Sequence, residues 1–142
     1  MRVLIDTCVW TRFLRRGRAA DDPVAGEVRR LIRLDAVQML GCVRQELLSG
    51  VRPQDQSEQL KEYLRFYPNL PLDAEDDENA ACYYNLCRDK EIHGTLVDLL
   101  ICAAAVRHGL RIFTTDKDFE HYARCLPIEL HRPVHGRSQL RE

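Results

Sequence analysis

VLIDTCVW, residues Val3–Trp10, is an apolar run that breaks at a carboxylate. Two β-branched residues among Val3, Leu4 and Ile5 favour a strand over Arg2–Ile5, which ends at Asp6. A helix is expected over Thr7–Leu14. Asp6 then has two readings: it caps that helix, as Asp often does, or it serves chemistry at the carboxyl end of a strand.

The rest of the chain alternates helical and strand-like patterns. RRGRAADDP, Arg15–Pro23, is a polar loop with proline at the next helix start. Val24, Val28, Leu31 and Ile32 recur at helical spacing, which predicts an amphipathic helix over Val24–Leu34. VQMLGCV, Val37–Val43, reads as a second strand, followed by a short helix over Arg44–Ser49 that Gly50 ends. A helix over Ser57–Tyr67 is stopped by Pro68, and Leu70–Leu72 is a brief extended piece. The acidic run Glu75–Glu78 suits the positive end of a helix dipole, so it is taken as the solvated first turn of a helix over Ala74–Lys90. Further helices are expected over Thr95–His108 and Asp118–Arg124, with strands over Arg111–Thr115 and Pro127–Leu130 and a frayed tail over about 132–142. Strands that alternate with helices imply an α/β sandwich around a mainly parallel sheet. Ligands of such sheets bind at the carboxyl ends of the strands.

With 142 residues and no linker or repeat, the chain is read as one domain over residues 1–142. No apolar run reaches membrane-spanning length, and no secretory signal pattern opens the chain, so a cytoplasmic protein is expected. Six cysteines form no C-x-x-C pair and read as small core residues in a reducing compartment. The net charge of −1 announces no global basic field, yet residues 1–50 hold nine Arg or Lys against six Asp or Glu, and residues 51–100 five against eleven. A locally basic surface is compatible with that asymmetry.

Four carboxylates fall at strand ends or in the helices just after them: Asp6, Glu46, Asp98 and Asp116. Each has a structural reading of its own. Asp98 follows Thr95 in a T-x-x-D capping pattern, and Glu46 suits a solvated helix face. In TTDKDF, Asp118 is the better cap for the helix from Phe119, which leaves Asp116 to point out of the strand end. Taken together, four carboxylates at one sheet edge repel one another unless a cation neutralises them. Oxygen donors without His or Cys suit Mg²⁺ or Mn²⁺. The chemistry of such sites is phosphoryl transfer with activated water.

The motifs IDTCVW, QELLSG, DLLICAAAVRHG and FTTDKDF, in that order along nearly the whole chain, resemble the PIN domain and specifically the VapC-type toxins of bacterial toxin–antitoxin pairs. The resemblance implies a PIN-like three-layer α/β/α sandwich and a Mg²⁺- or Mn²⁺-dependent endoribonuclease that cuts single-stranded regions of structured RNA. It makes Asp6, Glu46, Asp98 and Asp116 the acidic, metal-holding quartet, with Thr7, Thr115 and Asp118 in support. It further implies a homodimer and an inhibitory VapB-type antitoxin whose tail packs over the active groove. Apolar surface on the helices Val24–Leu34 and Ser57–Tyr67 is the natural docking site, unless it is core. Arg12, Arg15, Arg16 and Arg18 form a candidate phosphate-contacting surface; a solvated loop in an arginine-rich chain is the alternative. Two other functions fit the same residues: a non-catalytic RNA-binding module with this fold, and a small metal-dependent phosphatase. The absence of any G-x-x-x-x-G-K-[ST] loop argues against a nucleotide triphosphatase.

Overall fold

The computed structural model describes residues 1–16, 21–51 and 54–134. The elements in chain order are β1 (Val3–Ile5), α1 (Thr7–Arg16), α2 (Pro23–Arg33), β2 (Val37–Gln38), α3 (Gly41–Ser49), α4 (Gln54–Leu64), α5 (Ala74–Asp89), α6 (Leu96–His108), β3 (Arg111–Phe113) and α7 (Asp118–Tyr122). The sheet is parallel throughout in the order β2-β1-β3, with Val3 opposite both Val37 and Arg111. Single parallel bridges, Met39 to Asn69 and Ile112 to Leu130, extend it by one position on each side. The brief extended pieces expected near Leu70 and Leu130 are those bridges.

β1 is buried along its whole length because it is the central strand, covered by helices. VLI is apolar at every position for the same reason, as strands buried on both faces are. α6 carries the core furthest: Leu99, Ile101, Cys102 and Ala103–Ala105 are all buried, and a helix apolar on every side is an interior helix. Gly109, in the left-handed region at φ 69°, closes it. α5 packs along α6. Among the described residues, no helix is long and apolar enough to cross a membrane.

Three expectations are corrected. The strand over Val37–Val43 is cut to Val37–Gln38 plus the bridge at Met39, and residues 41–43 open α3. Leu40, Val43 and Leu47 are all buried, and their spacing of three and four is helical, so the helical period wins over the local β-propensity. The helix expected over Ser57–Tyr67 lies further towards the N-terminus, at Gln54–Leu64, and residues 65–67 form tighter turns after it. Within the acidic run, Asp76 is not solvated: it is fully buried. It completes a capping box with Asp73 and receives Arg107 Nη1 at 2.9 Å and His108 Nε2 at 3.1 Å, which clasp the start of α5 to the end of α6. The tail expected from 132 is described only to 134, where Arg132 reaches Glu120 at 3.4 Å. Residues 135–142 lie outside the described residues.

Glu27 of α2 is wholly buried, yet its carboxyl is held below the ordinary value of 4.5. Burial opposes ionisation there, but the bidentate Arg30 guanidinium and His131 Nε2 outweigh it. This triad ties α2 to the segment after β3. Because the folded pKa is depressed, its stabilisation is complete above the unfolded pKa and is lost as the pH falls through the folded value. Glu27→Gln is expected to cost about 2 kcal/mol at neutral pH in denaturant titration. The difference from the parent should shrink on acidification below pH 4.5.

Candidate active site

β1 and β3 run parallel, so both carboxyl ends reach the same edge, and Asp6 N donates to Phe113 O at 2.9 Å to register them there. Asp6 directly follows β1 and is buried. Its carboxylate does not cap α1: Oδ1 accepts from Thr7 N at 2.8 Å, the first amide of the helix rather than the second or third. Its Oδ2 accepts from Thr114 Oγ1 at 2.8 Å and from Cys8 Sγ at 3.5 Å. A buried carboxylate at a strand end is thus held by donors on both oxygens.

Asp98 lies in the first turn of α6. The Thr95 hydroxyl accepts from Asp98 N at 3.0 Å, while the carboxylate turns to Tyr122, whose hydroxyl donates to Oδ2 at 2.8 Å. The predicted cap is therefore real, but it uses the backbone amide of Asp98 and leaves the carboxylate to other work. Burial raises the Asp98 carboxyl above its ordinary range; the Tyr122 hydrogen bond opposes this, and the charges of Asp6 and Asp116 add to it. Burial and Asp98 itself push the Tyr122 hydroxyl far above ordinary values, so it stays protonated as a donor.

In TTDKDF the expected roles of the two acids exchange. Asp116 Oδ1 accepts from Asp118 N at 2.9 Å and Asp116 O from Phe119 N at 3.2 Å, so Asp116 starts the turn into α7. Asp118 is the first residue of α7 and not its cap. The physical reason is spacing: an Asp side chain readily bonds the amide two residues on. One carboxylate oxygen from each of Asp98, Asp116 and Asp118 lies within 4.8 Å of the others. Glu46, exposed on α3, joins through Thr7, whose hydroxyl donates to Oε1 at 3.2 Å. Its field and that of Asp6 reach Cys42, whose thiol is pushed up to about 11, mainly by burial.

Thr115, carried over as a supporting hydroxyl for a carboxylate or a water, donates its hydroxyl to Cys8 Sγ at 3.3 Å, and it is Thr114 that bonds Asp6. Thr114 directly follows β3, and its hydroxyl also accepts from Asp116 N at 3.0 Å, which sets it between the two acids. Tyr122 was also missed, although it lies one helical turn from Asp118. Of the arginines, Arg12 is engaged with the buried Asp22 at 3.0 Å, an ion pair that fixes α1 against the start of α2. Arg15 and Arg16 are exposed at the end of α1, and Arg18 lies outside the described residues. Arg15 and Glu46 face a groove of about 580 Å³ between α1, α3 and α4, with Leu14, Leu47, Leu60 and Tyr63 on its walls. The apolar residues of α2, by contrast, are mostly core: Val24, Val28 and Leu31 are buried.

The donors on these carboxylates are hydroxyls, a thiol and backbone amides, and an all-oxygen acidic set of this kind fits a hard divalent cation. Residues 3–124 match the PIN domain. The chain is 35% identical over 131 residues to the VapC ribonuclease Mb1587 of Mycobacterium bovis, covering 89% of this chain and 96% of that one. Ribonuclease VapC11 of Mycobacterium tuberculosis matches to the same extent. The crystal structure of FitAcB from Neisseria gonorrhoeae superposes with a TM-score of 0.74 at 22% identity, covering 94% of this chain and 99% of that one. VapBC2 from Rickettsia felis, bound to a DNA fragment from its promoter, gives 0.74 at 16% identity, covering 92% and 98%. Those two show the same fold, and the match over 3–124 together with the 35% relatives places the family: this chain belongs to the PIN-domain family, in its VapC branch.

Proposed function

We propose that the protein is the toxin of a type II toxin–antitoxin pair, a Mg²⁺- or Mn²⁺-dependent endoribonuclease that cuts single-stranded regions of structured RNA. The observation that carries this reading is the convergence of Asp98, Asp116 and Asp118 within 4.8 Å beside Asp6, in a chain whose 35% relatives are named VapC ribonucleases. Mutually close carboxylates, one of them with its ionised form penalised, make a site that a divalent cation stabilises. Asp6, Asp98 and Asp116 hold the ion, with Asp118 beside them and Glu46 at the groove. When bound, such an ion supplies the Lewis acidity that activates water and neutralises phosphate charge. The chain's own part is to fix the carboxylates: Thr7 and Thr114 orient Asp6 and Glu46, and Thr115 seats Cys8 against them.

RNA reaches the acids along the groove between α1, α3 and α4, where Arg15 offers a phosphate contact. Arg16 extends that surface at the end of α1, whereas Arg12 serves the fold through Asp22. The inhibitory partner is a VapB-type antitoxin whose tail lies in the same groove on Leu47, Leu60 and Tyr63, and the working unit is a homodimer in the cytoplasm. Membership of the VapC branch and the toxin–antitoxin complexes among the structural neighbours support the antitoxin partner in this reading.

The deciding experiment is cleavage of total bacterial RNA by partner-free protein in Mg²⁺, Mn²⁺ and chelator, with new ends mapped. Discrete ends that require the metal and fall at least about 100-fold in Asp6→Asn are expected, because that substitution keeps shape and removes a charge. Cuts that persist in chelator or in the variant overturn the metal-nuclease reading. RNA binding that is equal in chelator and Mg²⁺, with no cleavage, favours a binding module, and phosphate release from small monoesters alone favours a phosphatase.

A second expectation concerns the metal-free fold. The folded pKa of Asp98 is raised, so its ionised form destabilises the fold; the loss sets in as pH rises past the unfolded value and is complete once the pH has passed the folded pKa. Asp98→Asn is expected to melt a few degrees higher than the parent in chelator at pH 7, and to gain nothing at a pH below 3.8, where both are neutral. Differential scanning calorimetry reads both; a variant that melts lower at pH 7 overturns the electrostatic argument.

A further inference from the structure

Tyr122 is 1% exposed, and its ring packs edge-on against Phe119 at a centroid distance of 5.1 Å. Ring packing asks for no hydroxyl, since phenylalanine fills the same space. The hydroxyl donates to Asp98 Oδ2 at 2.8 Å, its one hydrogen bond among the described residues. The loop before α6 is shaped around it. A Cβ at Gly94 would stand 2.2 Å from Leu99 Cδ2, 3.2 Å from Tyr122 Cε1 and 3.4 Å from its hydroxyl, so a side chain there must move the Leu99 side chain and presses on the ring. Asp98 is thereby held twice: the Thr95 cap fixes its backbone, and Tyr122 fixes the rotation of its carboxylate.

We propose that Tyr122 is a positioning residue for the divalent cation, its hydroxyl presetting the Asp98 carboxylate beside Asp116 and Asp118 before the ion arrives. This rests on the cation reading given above and deepens it. A carboxylate free to rotate must be ordered when the ion binds, whereas one already pinned loses little freedom. Loss of such a hydrogen-bonded partner behind a ligand typically costs 10- to 100-fold in metal affinity. Gly94 acts through the same contact, by leaving room for the ring.

The test is Tyr122→Phe, with Mn²⁺ binding followed by the electron paramagnetic resonance of the free ion and the melting temperature taken in chelator. The expected result is a dissociation constant about tenfold higher than the parent's with little change in melting temperature. The Mn²⁺ concentration for half-maximal RNA cleavage should rise in step, and the rate should recover at saturating Mn²⁺. A merely structural tyrosine shifts the melting temperature and not the affinity, so equal dissociation constants overturn the role of Tyr122 alone. A parent that binds no Mn²⁺ overturns the cation reading, and this proposal with it. Should the variant melt far below the parent, the unsubstituted protein decides: in ¹³Cζ-tyrosine spectra titrated with Mg²⁺, the Tyr122 resonance is expected to move saturably while Tyr63 and Tyr67, which bond each other at 2.9 Å on α4 and just after it, stay fixed. A Tyr122 signal that stays fixed at saturating Mg²⁺ overturns the proposal.

Discussion

The parallel pairing of β1 with β3 is the constraint on which the remaining structure rests. Three residues on each strand, in register from Val3 and Arg111, bring two distant segments out at one edge. The Asp6 amide bonded to Phe113 O then sets the separation between the segment with Asp6 and the segment with Thr114 and Asp116. Such a short ladder has few hydrogen bonds of its own. It is stable because Leu4, Ile5, Ile112 and Phe113 are buried and the apolar face of α6 closes over them. The rigid interior is therefore what allows an acidic edge to exist.

That edge is electrostatically unfavourable by construction. Asp98 is penalised both by burial and by two neighbouring carboxylates. What the fold supplies instead are neutral donors, Thr7, Thr114, Cys8 and Tyr122, which orient charge without cancelling it. The opposite policy operates elsewhere: buried Glu27 and Asp76 are matched directly by Arg30 and Arg107. Among the described residues, the buried carboxylates that serve the fold are paired with cations of the chain, and those at the sheet edge have no such ion pair.

The sequence was legible where a residue's neighbours in the chain dictate its state. Asp6 at the end of VLI, the apolar helix behind Asp98 and the Thr95 cap all follow from local pattern. The α/β class followed from alternation, and the PIN resemblance agrees with the family match. Reading failed where a long-range contact decided the outcome. Asp76 looks like one of several solvated acids until α6 brings Arg107 and His108 to it from 31 and 32 residues away. Thr114 and Thr115 are alike in sequence, and only the position of Asp6 and Cys8 across the sheet separates their roles. Asp116 and Asp118 exchanged roles because two neighbouring acids offer the same turn chemistry and spacing alone chooses between them. The basic cluster divides in the same way: Arg12 meets Asp22, whereas Arg15 opens onto the groove.

The central strand of the sheet is the first element of the chain, while its partner β3 is made late, and the Thr114 to Asp6 hydrogen bond spans 108 residues. Contacts of such long sequence separation form slowly, and during synthesis they cannot form at all until both segments have left the ribosome. A nascent chain carrying Asp6, Glu46 and even Asp98 has no assembled acidic edge, because Asp116, Asp118 and Tyr122 have yet to arrive. Chain order thus sets an order of assembly: the acidic edge is complete only after translation has passed α7.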